Sequence, residues 1–175
     1  MRLFGLAAWS GSGKTTLLAR LLPELIARGH SVSTVKHAHH AFDLDQPGKD
    51  SFRHREAGAT EVLITSSTRW ALQHELRGAA EPDLETLIAH MSPVDLLLVE
   101  GFKRHKHPKL ELLRPSLGKE PLYPGDPLIR AIYAVEPLPA PLRASIPLPI
   151  YEAEDIAGIA DLVIAAAAPF ERQGP

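Results

Sequence analysis

Residues 7–18 read AAWSGSGKTTLL, a run of small residues between an apolar stretch and a leucine-rich one. Leu3 to Ala8 has the look of a short strand buried on both faces. Leu17, Leu18, Leu21, Leu22, Leu25 and Ile26 recur at helical spacing across Lys14 to Arg28, and Gly29 is placed to cap that helix. Strand, tight loop and helix in immediate succession announce an α/β chain. Gly13, Lys14 and Thr15 give the loop the G-K-[ST] ending of a phosphate-binding loop. The chemistry demands these residue types. Ser10, Gly11, Ser12 and Gly13 are small enough for successive amides to converge on a phosphate, where the helix N-terminus adds its partial positive charge. Lys14 can reach the β- and γ-phosphates, and the Thr15 hydroxyl can coordinate Mg²⁺. Ala8 stands where the pattern has its first glycine, a small departure provided the backbone angle there is negative. Pro23 inside the helix removes one hydrogen-bond donor, so a kink or loosened turn is expected there.

Beyond the first helix, Ser31 to Val35 reads as a second strand, followed by the polar segment KHAHHAFDLDQPGKD, expected to be a long loop. A short helix over Ser51 to Ala57, strands over Glu61 to Thr65 and Arg69 to His74 joined by a tight turn, and a helix over Asp83 to Met91 come next. DLLLV, Asp95 to Val99, is the most hydrophobic strand and ends at Glu100-Gly101. Residues 110–114, residues 129–135 and Leu148 to Tyr151 read as further strands, and Glu154 to about Ala167 as a last helix. Such alternation predicts a mostly parallel sheet with helices on both faces, a three-layer α/β/α fold of the phosphate-loop NTPase kind with ligands at the carboxyl ends of its strands.

The chain of 175 residues, 45% hydrophobic and 23% charged, is sized for one domain over residues 1–175. Its net charge of -2 argues for neither nucleic acid nor membrane as a partner. The absence of cysteine excludes disulfides, thiolate metal sites and cysteine nucleophiles. The apolar stretch after Met1 is too brief to span a membrane and lacks a cleavage site, so a cytoplasmic protein is expected. The prolines gather in the last third, in EPLYPGDPL and EPLPAPLRASIPLPI, where they read as turns and loop crossings.

A phosphate loop needs a carboxylate near its Mg²⁺, commonly at the end of a neighbouring buried strand. Glu100 fits that position, whereas Asp95 at the other end of the strand reads as a cap. Asp43, Asp45 and Asp50 lie in the loop after the second strand, and Asp45, beside a Pro-Gly turn, is the preferred partner of Glu100 in holding the metal and serving hydrolysis. No glutamine or arginine is evidently placed to order an attacking water, so hydrolysis is expected to be weak or dependent on a partner. His37, His39 and His40 raise a metal-site reading without a matching ligand set elsewhere. KRHKHPK, Lys103 to Lys109, reads either as a solvated loop or as a grip on an anionic ligand or partner.

Together SGSGKTTL, VKHAHHAFDLDQPGKDSFRHREAGA, RWAL, DLLLVEGFK and PKLEL resemble the molybdopterin-guanine dinucleotide biosynthesis adapter family, in order across roughly residues 3 to 114. The resemblance implies a dimeric GTP-binding protein with weak GTPase activity that assists the molybdenum cofactor guanylyltransferase, the enzyme attaching GMP to molybdopterin. It carries phosphate binding onto Gly11, Gly13, Lys14, Thr15 and Thr16, and the metal-side acids onto Asp45 and Glu100. Family members often have an Asp after the late strand where this chain has Glu136, whose carboxylate would accept the guanine N1 and N2 hydrogens. Two other classes share such a loop: an ATP-dependent small-molecule ligase or kinase, for which Arg53, Arg55 or Arg104 would close on the transferred phosphate, and a nucleotide-gated metal chaperone using the histidines.

Overall fold

The apolar run at the start of the chain forms β1 (Arg2–Ala7), and the leucine-rich segment forms α1 (Lys14–Ala27). In chain order there follow β2 (Val32–Lys36), α2 (Asp50–Glu56), β3 (Glu61–Thr65), β4 (Trp70–His74), α3 (Leu84–Ala89), β5 (Leu96–Glu100), β6 (Lys109–Leu113), β7 (Ile129–Ala134), α4 (Ala140–Ser145), β8 (Ile150–Glu152), α5 (Ile156–Ala166) and β9 (Ala168–Pro169). The computed structural model describes residues 1–38, 42–102 and 105–170. The chain falls into two compact units, Met1–His37 with Ala89–Pro175, and Ala38–Ile88.

The first unit is the expected mostly parallel sheet, with strand order β2-β5-β1-β6-β7-β8 and the two-residue β9 antiparallel to the start of β1. Side chains alternate across each strand, so one strand feeds two cores. Phe4, Leu6, Leu98, Leu110, Leu112 and Tyr133 pack with Leu17, Leu21 and Leu25 of α1 and Ile159 and Val163 of α5. Ala7, Leu113, Ile132 and Ala134 point the other way and pack with Ile146 and with Leu142 of α4. Helices therefore cover both faces, giving the three layers.

α1 spans Lys14 to Ala27 with Pro23 inside it, exposed on the helix surface. Its end is the glycine cap read from the sequence: Gly29 has φ 87° and donates to Ile26, and His30 donates to Leu25, closing the last turn. Asp95 is the expected strand-start cap, its carboxylate accepting from the Ser31 amide at 2.8 Å and hydroxyl at 2.7 Å. α4 lies in a proline-rich stretch that reads as loop. The prolines fall where a helix tolerates them, Pro139 as the N-cap and Pro141 in the first turn, whose amides have no intrahelical partner anyway.

In the second unit β3 and β4 form an antiparallel hairpin, closed where the Ser66 amide donates to the Arg69 carbonyl at 2.8 Å. α2 packs on β3. Its Arg55 lies over the Phe52 ring at 5.1 Å and pairs with Asp43 at 2.7 Å and Glu75 at 3.3 Å. The facing pairs Leu63 with Leu72 and Thr65 with Trp70 share one face of the hairpin, and on it Leu63, Leu72 and Trp70 are exposed.

Candidate functional site

The loop between β1 and α1 is built to leave amides open. Gly11 at φ 78° and Gly13 at φ 86° both take the left-handed conformation that a side chain resists, which explains glycine at those two positions. Gly13 is the N-cap of α1, and no side chain makes a capping hydrogen bond, so the positive end of the helix faces the loop. Ala8 is buried in the core and has no positive φ, so the departure from the motif is harmless. The Lys14 ammonium donates to the Trp9 carbonyl at 3.1 Å. Ser12 is buried, while Ser10, Gly11, Thr15 and Thr16 are exposed along the loop and first helical turn.

Parallel register carries the strand ends to the same edge. Leu6 of β1 faces Glu100 of β5, which faces Lys36 of β2, so Glu100 ends the strand beside the phosphate-loop strand. Only 9% of Glu100 is exposed, and no described group donates to its carboxylate. The His37 amide donates to its carbonyl at 2.8 Å, and the His37 ring lies 5.0 Å from that of Phe102. Gly101 between them has φ 92°, and a Cβ there would lie 2.6 Å from the Cβ of His37. Phe102 also has a positive φ of 45°, local strain next to the candidate acid.

Asp45 lies in the second unit, ahead of α2. Its Oδ1 accepts from the Ser51 hydroxyl at 2.7 Å and the Gln46 amide at 3.1 Å, while its Oδ2 is buried with no partner. A buried orphan carboxylate oxygen is costly without a cation or proton. Hydroxyl and carboxylate oxygens such as those of Thr15 and Glu100 are the hard donors that Mg²⁺ prefers. Of the arginines considered for a kinase, Arg53 is exposed, Arg55 is committed to Asp43 and Glu75, and Arg104 lies outside the described residues.

The second half of KRHKHPK is neither a solvated loop nor an open grip. Lys103 and Arg104 lie outside the described residues, but His107 and Lys109 are buried. Lys109 pairs with Asp126 at 3.1 Å and donates to the His105 carbonyl at 2.9 Å, and Glu111, also buried, accepts the amides of Leu122 and Tyr123 at 2.7 and 2.8 Å. The His107 Nε2 occupies the space a Cβ at Gly5 would take, so β1 needs glycine there to seat the ring. His39 and His40 lie outside the described residues, and among those described no group of three or more metal-binding side chains gathers.

Burial, helped by the charges of Lys109 and His105, lowers the His107 pKa from 6.5 to about 4. Folding thus favours the neutral ring. The contribution is complete above pH 6.5 and is lost as the pH falls from 6.5 toward 4, amounting to roughly 3 kcal/mol. Burial shifts Glu111 upward, an opposing trend. Urea melts of wild type and His107→Gln across this window isolate the ring: wild type should lose about 3 kcal/mol more than the variant, and parallel curves would contradict the assignment.

Glu136, expected to accept from a guanine base, is already engaged. Its Oε1 accepts the Ser116 amide at 2.6 Å, and its Oε2 accepts the Ser116 hydroxyl at 2.9 Å and Arg114 Nε at 3.3 Å. The Ser116 amide, followed by the Ser116 hydroxyl and Arg114, holds its carboxyl below the usual range. Arg114 escaped the sequence reading. It follows β6, the strand next to β1, and its Nη1 donates to the Gly11 carbonyl at 3.0 Å. The signal was its place: a cation at the carboxyl end of a strand beside a phosphate loop, where open α/β sheets bind ligands.

A family model described as Molybdopterin guanine dinucleotide synthesis protein B (MobB) matches residues 3–135. The molybdopterin-guanine dinucleotide biosynthesis adapter protein of Escherichia coli (strain K12) is 42% identical over 166 residues, spanning 93% of this chain and 91% of that protein. The protein of the same description from Haemophilus influenzae is 43% identical over 136 residues, 78% of this chain and 76% of its own length. Among solved structures, a MobB protein homolog from Bacillus stearothermophilus superposes with a TM-score of 0.67 at 25% identity, covering 94% of this chain and 99% of that one.

Proposed function

The chain belongs to the MobB family, molybdopterin guanine dinucleotide synthesis protein B, and from that premise we propose that it is an adapter in molybdopterin guanine dinucleotide biosynthesis that holds GTP for the guanylyltransferase. The observation that carries this reading is the phosphate loop: left-handed Gly11 and Gly13, an α1 N-terminus with no side-chain cap, and Lys14 at its first turn. That loop suits a triphosphate, and the choice of guanine rests on the family. Thr15 and Glu100 would hold Mg²⁺, which when bound neutralises charge on the β- and γ-phosphates. Thr16 and Ser10 line the same loop and first turn. Molybdopterin itself is a candidate second ligand.

Hydrolysis is weak in this proposal. The arginine hydrogen-bonded to the phosphate loop, Arg114, is turned onto the Gly11 carbonyl and Glu136. Intrinsic rates in phosphate-loop GTPases run about 10⁻⁴ to 10⁻² per second, the upper value with an arginine already in place. Single-turnover phosphate release should therefore fall well below about 1 per second, and added guanylyltransferase with molybdopterin should form the dinucleotide faster in the presence of the chain. Fast release without a partner, or no stimulation of the transferase, would count against the adapter reading.

The same family supports a homodimer, and the hairpin offers a face for it. Leu63, Trp70 and Leu72 are 59%, 63% and 43% exposed on one side of a two-stranded sheet that is marginal alone. A second copy is the occupant proposed. Sedimentation at the dimer mass that collapses to monomer in Leu72→Glu tests it, and a monomeric wild type would contradict it. No described helix is long and apolar enough to cross a membrane, and a cytoplasmic location is proposed with the rest.

A further inference from the structure

A loop whose amides turn inward to a phosphate turns carbonyls outward, where each accepts from water or from a protein donor that then braces the loop. In this chain the donor to the Gly11 carbonyl comes from the segment that follows β6, and a second tie runs the opposite way, from the loop to that segment. Arg114 Nη1 donates to the Gly11 carbonyl at 3.0 Å, and the Trp9 indole donates to the Glu120 carbonyl at 2.8 Å. The same segment sets Leu117 3.9 Å from the position a Gly11 Cβ would take, and Val135 stands 3.6 Å from the corresponding position at Gly13. Arg114 is itself aimed: its Nε pairs with Glu136 at 3.3 Å, and Glu136 is fixed through both oxygens by Ser116. Gly11, Arg114 and Glu136 lie just beyond β1, β6 and β7, three neighbouring parallel strands, so one chain of polar contacts crosses the carboxyl edge of the sheet.

We infer that Arg114 is a positioning residue for the phosphate loop, holding Gly11 in its nucleotide-binding turn, and that Glu136 acts by aiming Arg114 rather than by reading the base. This rests on the nucleotide reading of the loop. The guanidinium suits the task because its fork can pair with a carboxylate through Nε while another nitrogen reaches a carbonyl. Arg114 is an exposed side chain at the end of a strand, so its truncation leaves both cores in place.

Because the arginine shapes the loop and does not meet the terminal phosphate, every nucleotide that uses the loop should feel its loss equally. Calorimetric titration of GTP and of GDP, each with Mg²⁺, is run on wild type, Arg114→Ala, Arg114→Lys, Glu136→Gln and the Arg114→Ala/Glu136→Gln double variant, with circular dichroism melts confirming folding. Arg114→Ala should weaken both nucleotides by the same factor, about tenfold. Arg114→Lys, which keeps a cation able to reach Gly11, should recover to within about threefold of wild type. Glu136→Gln should cost about threefold alone and nothing further once Arg114 is gone, since it works through that residue. Loss confined to GTP would make Arg114 a ligand of the γ-phosphate and overturn the inference. So would additive effects in the double variant, or an Arg114→Ala protein that binds as wild type does. If wild type itself binds neither nucleotide, the phosphate-loop reading fails first.

Discussion

Lys14→Ala should abolish useful nucleotide affinity while leaving the fold as it is. The side chain stands at the first position of α1, outside the core that Leu17, Leu21 and Leu25 of the same helix build, so melting should be nearly unchanged. Its ammonium rests on the Trp9 carbonyl at 3.1 Å, within the loop it serves. A triphosphate in that loop offers concentrated negative charge to the half-buried Lys14 ammonium, and deleting one partner of such a pair costs about 3 kcal/mol or more, at least ~100-fold in affinity. Calorimetry with GTP and Mg²⁺ reads this directly. Affinity within threefold of wild type would mean the loop does not hold phosphate.

The largest stability effect at the site is expected from Gly101→Ala. The backbone there has φ 92°, which a side chain resists at a cost of about 1–3 kcal/mol, and the new Cβ would approach the His37 Cβ to 2.6 Å. Relief requires β2 and β5 to shift at their carboxyl ends, because the His37 amide is bonded to the Glu100 carbonyl. We expect a loss of roughly 3 kcal/mol, on the order of 10 °C in melting temperature, together with a weaker Mg²⁺ dependence of GTP binding as Glu100 is displaced. A variant as stable as wild type would contradict the packing described, and unchanged Mg²⁺ dependence in a destabilised variant would remove Glu100 from the metal.

Features legible in the sequence were those whose causes are local. The hydrophobic run DLLLV reads as a buried strand, and its parallel pairing with β1 puts Glu100 at the end of the strand next to β1. Gly29 was readable because a helix end asks for glycine within one residue of a fixed place. The features missed depend on residues far apart in the chain. Lys109 and Glu111 look like the outward side of an alternating strand, yet both are buried, satisfied by Asp126, His105, Leu122 and Tyr123, which only the folded chain brings up. Arg114 and Gly11 are 103 residues apart, so no spacing rule could pair them. The engagement of Glu136 was hidden for the same reason, since nothing near it in sequence announces that Arg114 and Ser116 meet both its oxygens. α4 was hidden because its prolines look like breakers unless the register of the first turn is known.

The central claim, that this loop holds a guanine nucleotide with Mg²⁺, is tested most directly by titrating GTP and ATP separately into the pure protein, with Mg²⁺ and again with a chelator. The account predicts one GTP per chain, bound at least about tenfold more tightly than ATP, an energy gap of about 1.4 kcal/mol, and weakened when Mg²⁺ is removed. Preference for ATP, or no binding of either nucleotide, would contradict it.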